Sequence, residues 1–82
     1  MERRGREILA ANMKELRELH DMTQEDLAGI AEIDRSYVSF VEHRKYAASV
    51  DMIEKIAAAF QVSIDELLKP GIAETVRKRL GK

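Results

Sequence analysis

Three observations in the sequence predict an all-α protein. Apolar residues recur at three- and four-residue steps along most of the chain. No segment alternates with a strand's period of two for more than a few residues, and hydroxyl or carboxylate side chains stand where helices would begin. The expected architecture is a five-helix domain with a short sixth helix at the C-terminus.

Leu9, Met13, Leu16 and either Leu19 or His20 place a first helix from about Arg6 to His20, charged on its opposite side. Thr23 is the N-cap of a second helix. Its hydroxyl can accept from the amide of Asp26, and Glu25 and Asp26 occupy the first turn, where the helix dipole favours anions. That helix ends near Ala31. Asp34 is the next N-cap, for a helix through about His43, and Ser49 caps a fourth that carries Ile53, Ile56, Ala57 and Phe60 on one face. Ser63 and Glu66 form a capping box that opens a short fifth helix with Ile64, Leu67 and Leu68. Pro70 and Gly71 interrupt the pattern, after which Ile72, Val76 and Leu80 return at four-residue intervals in a last helix. There is no internal repeat and no low-complexity segment.

Composition narrows the function. The 82 residues, 45% of them hydrophobic, suit one ordered domain with a single core. A chain of this size buries only about 60–65% of its unfolded surface, so a partner subunit would add stability. With no cysteine, disulfides and thiolate metal sites are excluded. Apolar runs of four or five residues are too short to span a membrane, and charges stand where a signal peptide needs an apolar stretch, so a cytoplasmic protein with no membrane contact is expected. Two histidines, no glycine-rich phosphate loop and no visible nucleophile–base pair argue against an enzyme, and no cofactor or metal is expected. The formal net charge of −1 argues against indiscriminate nucleic-acid binding, so any basic surface must be local.

The functional signal lies in the second and third helices, separated only by Glu32, Ile33 and Asp34. A turn this short holds two helices at a steep angle, which requires small residues where they approach and apolar ones where the second packs back. Ala28 supplies the first, and Leu27, Ala31, Ile33, Val38 and Val41 the second. Each residue alone is ordinary core packing; the joint spacing is that of a helix-turn-helix.

The run Gln24-Glu25-Asp26-Leu27-Ala28, then Ala31, Ser36-Tyr37-Val38-Ser39 and Val41-Glu42, resembles the Cro and phage-repressor type, or XRE-like, helix-turn-helix family. The likeness extends from about Met13 to Leu68 through Ser49, Ile53, Ile56-Ala57 and Val62-Ser63 to Leu67. Within that family, Asp34 to Ser39 and the short length resemble the controller proteins of restriction-modification systems. The resemblance implies a transcriptional regulator that binds palindromic double-stranded DNA as a homodimer, with the helix-turn-helix domain over residues 1–69 and a helical extension over 70–82. It also implies that Gln24 touches a phosphate while bracing the recognition helix, and that Arg17 of the first helix pairs with Glu42. The sequence departs from the family at Glu32 and Arg44, where glycine is usual, and at Ala48, where proline is usual. A positive φ at Glu32 would carry strain of roughly 1 kcal/mol.

Opposite Val38 and Val41, the third helix presents Arg35, Ser36, Ser39, Phe40 and His43 as its reading face. Arg35 in the first turn can donate two hydrogen bonds to a guanine, or act as a phosphate-only or solvated cation. Ser36 accommodates several bases and so specifies weakly. Phe40 can pack on thymine methyl groups or lie sideways against a neighbouring helix. Tyr37, Tyr46, His43, Arg44 and Lys45 can reach phosphates, with a plain surface role as the alternative for His43. From Thr23 to Glu42 there are five acids and one base, so affinity must come from the surroundings: Arg44, Lys45, the N-terminal Arg3, Arg4 and Arg6, and the C-terminal Arg77, Lys78, Arg79 and Lys82. Charge at termini is also commonly just solvated. Ile64, Leu68, Ile72, Val76 and Leu80 are the expected dimer contacts, unless the last helix packs on its own domain. The competing function is an antitoxin-like module on the same fold that binds a small protein partner.

Overall fold

A computed structural model describes residues 3–81, and within them the chain is all-helical. Six helices follow in order: α1 (Arg3–Leu19), α2 (Gln24–Ala31), α3 (Arg35–Glu42), α4 (Val50–Phe60), α5 (Ile64–Leu67) and α6 (Ile72–Arg79). The first begins three residues earlier than its apolar periodicity indicates, so Gly5 is accommodated in its first turn despite a helix cost of about 1 kcal/mol.

Side-chain caps account for the starts of α2, α4 and α5. Thr23 Oγ1 accepts from the amide of Asp26 at 3.0 Å, and the Asp26 carboxylate accepts from the amide of Thr23 at 2.9 Å. Two amides that the helix itself leaves unpaired are thereby satisfied. Ser49 caps α4 through the amide of Met52, and Ser63 and Glu66 complete a second reciprocal box at α5. The Ser63 amide, followed by Arg79, holds the Glu66 carboxyl down at about 2. Asp34 is different. Its backbone is extended as an N-cap requires, yet its side chain makes no capping hydrogen bond, so α3 starts without one.

The core joins Leu9, Met13 and Leu16 of α1 to Leu27, Ala28 and Ala31 of α2, Val38 and Val41 of α3, Ile53, Ile56, Ala57 and Phe60 of α4, and Leu67 of α5. Ile33 in the turn packs against it, half-buried. His20, the alternative to Leu19 on the first helix, lies just beyond α1 and stacks on Phe60 with ring centroids 6.0 Å apart.

The expectation that Ile72 and Val76 form dimer contacts is corrected here. They are only 3% and 6% exposed and belong to the same core, because α6 lays its apolar stripe on α1. A helix of eight residues is marginal alone, and its own domain covers the face it needs to bury. Leu68 is also partly buried against the core, whereas Ile64 and Leu80 remain exposed.

Glu32 closes α2 in the left-handed conformation, φ 58°, its amide donating to Ala28 O. An L-residue there is strained by about 1–2 kcal/mol, part of which glycine would return through its greater freedom in the unfolded chain. Glu32→Gly is therefore expected to raise stability by about 0.5–1 kcal/mol. Thermal unfolding checks this, and a lower midpoint would contradict it.

Candidate nucleic-acid interface

Buried apolar contacts orient α3. Val38 and Val41 are 0% and 2% exposed, so the rows through Arg35, Ser36, Ser39, Phe40 and His43 turn away from the core. Arg35, Ser36 and His43 are exposed; Ser39 and Phe40 are half-buried. The positive φ at Glu32 reverses the chain after α2, and the amide of Ile33 also donates to Ala28 O, at 3.0 Å. These bonds fix the approach of α3 to α2.

A polar cluster locks the far end of α3. Arg17 donates through Nε to Glu42 Oε2 at 2.9 Å and through Nη2 to Oε1 at 3.0 Å, while Nη1 donates to Met22 O at 3.0 Å. Gln24 Nε2 adds a further donor to Glu42 Oε1 at 3.1 Å. The planar fork of arginine suits this two-point contact, which lysine cannot reproduce. The hydrogen bond to Glu42 raises the Arg17 guanidinium above its usual value against the opposing effect of burial. Side-chain exposures of 15% for Arg17 and 5% for Glu42 place this pair largely out of water. Gln24 thus sits where α1, α2 and α3 meet, its side-chain amide bonded to Glu42 at the end of α3.

The aromatic residues gather at the other side of α3 and in the loop after it. Phe40 and Tyr46 have ring centroids 4.9 Å apart at 58°, and Tyr37 and Tyr46 are 6.2 Å apart. Phe40 is therefore held sideways by Tyr46, while Tyr46 remains 52% exposed. His43 Nδ1 lies 2.8 Å from Ser39 O, one turn back on α3. Arg44 adopts φ 62°, and Lys45 closes the turn by donating its amide to Phe40 O at 2.9 Å. The loop thus has the left-handed turn that glycine would favour, made with arginine, and both basic side chains are exposed.

Charge is distributed unevenly around this face. Arg44 lies 3.9 Å from Glu7, a contact too exposed to neutralise it. Arg4 is exposed and Arg6 half-buried on the same N-terminal helix, while Lys82 and the side chain of Arg3 fall outside the described residues. At the C-terminus, Arg77 pairs with Glu74 and Arg79 with Glu66, so part of that basic run is compensated within the chain.

Two side chains at or behind the site were not anticipated as partners. Glu25 accepts from Arg35 Nε at 2.7 Å, across the ten residues that separate them. Asn12, 1% exposed, donates from Nδ2 to Leu67 O at 2.7 Å and to Lys69 O at 2.8 Å, tying α1 to the end of α5. A signal for Asn12 existed: it lies three residues after Leu9 and one before Met13, on an otherwise apolar face.

Two short helices at a steep turn, the second presenting a polar and aromatic face, define a helix-turn-helix domain. The helix-turn-helix family model matches residues 13–67, more than half of the chain. The chain belongs to the XRE-type helix-turn-helix family of transcription regulators. It is similar to a hypothetical transcription factor of Neisseria meningitidis serogroup B, 42% identical over 65 residues that make up 79% of this chain and 61% of that protein. The chain therefore spans about three fifths of the length of that relative. It is also similar to the control protein C.SmaI of Serratia marcescens, 32% identical over 63 residues, 77% of this chain and 75% of that one. Among solved structures, the crystal structure of a hypothetical transcription factor from Neisseria superimposes with a TM-score of 0.78 at 38% identity, covering 93% of this chain and 84% of the other. No helix among the described residues is long and apolar enough to cross a membrane.

Proposed function

We propose that this chain is a sequence-specific regulator that reads a palindromic operator as a homodimer, placing the exposed face of α3 in the major groove. The observation that carries this is the outward row of exposed Arg35, Ser36 and His43 with half-buried Ser39 and Phe40, on a helix anchored at its far end by the largely buried Arg17–Glu42 pair. A reading helix must be rigid to discriminate bases, and the anchor supplies that rigidity. Arg35 is the main determinant of sequence choice, since its planar fork matches guanine O6 and N7. Tyr37, Tyr46, Arg44, Lys45 and Gln24 contribute phosphate contacts that set the register. Similarity to the control protein C.SmaI supports a role in controlling transcription.

Arg35→Ala is expected to weaken binding to the preferred operator by about 1–3 kcal/mol and to flatten preference at one base pair of each half-site. Binding to single-base operator variants at fixed salt tests this. Uniform weakening on all sequences, with a salt slope lower by about one, would instead assign Arg35 to a phosphate.

The dimer forms through the α4–α5 region, with Ile64, Leu68 and Leu80 as its apolar contacts. Ile64 and Leu80 are 38% and 48% exposed, and Arg79 bonded to Glu66 brings the end of α6 beside α5. The two recognition helices then lie about 34 Å apart, one turn of the duplex. Sedimentation should give a dimer at micromolar concentration; monomer alone, with and without DNA, would contradict it.

A further inference from the structure

We infer that Glu25 is a positioning residue for sequence choice: it holds Arg35 by Nε so that the two Nη atoms point end-on at a guanine. This rests on the base-reading role proposed above for Arg35. The Nε of Arg35 donates to Glu25 Oε1 at 2.7 Å, while Nη1 and Nη2 have no hydrogen-bond partner among the described residues. An arginine reads guanine by donating two parallel hydrogen bonds to O6 and N7, and Nη1 and Nη2 together form such a pair. A partner on Nε alone leaves that pair free and removes rotamers the long side chain would otherwise sample.

The placement of Glu25 explains a second feature. Arginine in the first turn of a helix meets the positive end of the dipole, an unfavourable place for a cation. Glu25, in the first turn of α2, is itself favoured by the dipole of that helix and sets its carboxylate against Arg35. The side chains are 60% and 68% exposed, so the pair adds little to folding. It also leaves the Arg35 fork accessible to a ligand. An acid beside a DNA-binding surface repels phosphates, so Glu25 opposes affinity for every sequence while sharpening the choice among them.

The test uses the full chain, an operator duplex that it selects from a random DNA pool, and all single-base variants of that duplex at fixed salt. Glu25→Ala is expected to tighten binding to unrelated DNA. Discrimination should fall by about 3- to 5-fold at the base pair that Arg35→Ala flattens, and at no other, as the loss of an exposed ion pair allows. Glu25→Gln retains an acceptor oxygen without the charge, so it should tighten unrelated binding yet keep most of the discrimination. If Arg35→Ala flattens one base pair while Glu25→Ala leaves discrimination there intact, the positioning role is overturned and the base-reading role stands. If Arg35→Ala flattens no base pair, both fail together.

Discussion

Replacing Glu42 by alanine is expected to lower the unfolding free energy by about 3–5 kcal/mol, the cost of stranding a largely buried charge. The carboxylate accepts from Arg17 Nε and Nη2 and from Gln24 Nε2, and only 5% of its side chain is exposed. Without it, the Arg17 guanidinium keeps the hydrogen bond to Met22 O and the nearby charge of Glu18 but, with 15% of its side chain exposed, loses most of its compensation. A domain of this size has roughly 4–12 kcal/mol of stability in total, so the variant would be near unfolding at room temperature. Arg17→Ala should cost a comparable amount, but the double variant should cost much less than the sum, because the two lesions share one interaction. Urea unfolding of the four proteins checks this. An unchanged midpoint for Glu42→Ala would show that the pair contributes no stability.

Asn12 is expected to be almost as sensitive. Its Nδ2 satisfies the carbonyls of Leu67 and Lys69 at the end of α5, where a helix has no partners of its own to offer. Asn12→Leu keeps the branched shape but leaves Leu67 O without this donor and Lys69 O with the Ile72 amide alone, at a cost of about 1–3 kcal/mol. Asn12→Asp is the sharper test. At neutral pH it sets a carboxylate against two carbonyl oxygens in a buried position, for a loss on the order of 3–5 kcal/mol. Burial and that repulsion raise the folded-state pKa of the new acid above its unfolded value. The penalty is therefore full at neutral pH and shrinks as pH falls through the folded-state pKa, where the protonated acid can again donate one hydrogen bond. Urea unfolding of Asn12→Asp relative to wild type should show a smaller deficit at pH 4 than at pH 7. Equal deficits at both would remove Asn12 from this role.

These two positions mark where sequence reasoning succeeds and where it stops. The caps at Thr23, Ser49 and Ser63 were legible because each is decided within three residues. The left-handed turn at Glu32 entered only through the glycine usual there in the family, with a differently shaped turn as the alternative. Asp34 shows the limit even of local chemistry, since a suitable side chain stands at the right place and does not bond. Apolar periodicity identified Ile72, Val76 and Leu80 as a stripe but not what covers it. Only the packing of α6 on α1 shows that two of the three are already used within the chain. The acceptors of Asn12 lie 55 and 57 residues away, and no pattern in the sequence links them. The Arg17–Glu42 pair spans 25 residues and was expected only through the family resemblance.

The outward placement of Arg35, Ser36 and His43 opposite Val38 and Val41 was legible, while Ser39 and Phe40 are half-buried. The internal connections of this face were not legible. Arg35 is the one base in an acidic stretch of sequence and Glu25 engages it directly, while Phe40, open to a thymine contact or a sideways packing, pairs with Tyr46. Both contacts depend on how α2, α3 and the following loop meet in space.

The most direct test of the central claim is an NMR titration of the uniformly nitrogen-15-labelled chain with an operator duplex selected by the chain itself. The expected result is that backbone and side-chain shifts concentrate at Gln24, from Arg35 to His43, and at Arg44, Lys45 and Tyr46, with the Arg35 Nε resonance among the largest. Shifts confined instead to α1 and α6, with α3 unmoved, would contradict a DNA-reading role for the recognition helix.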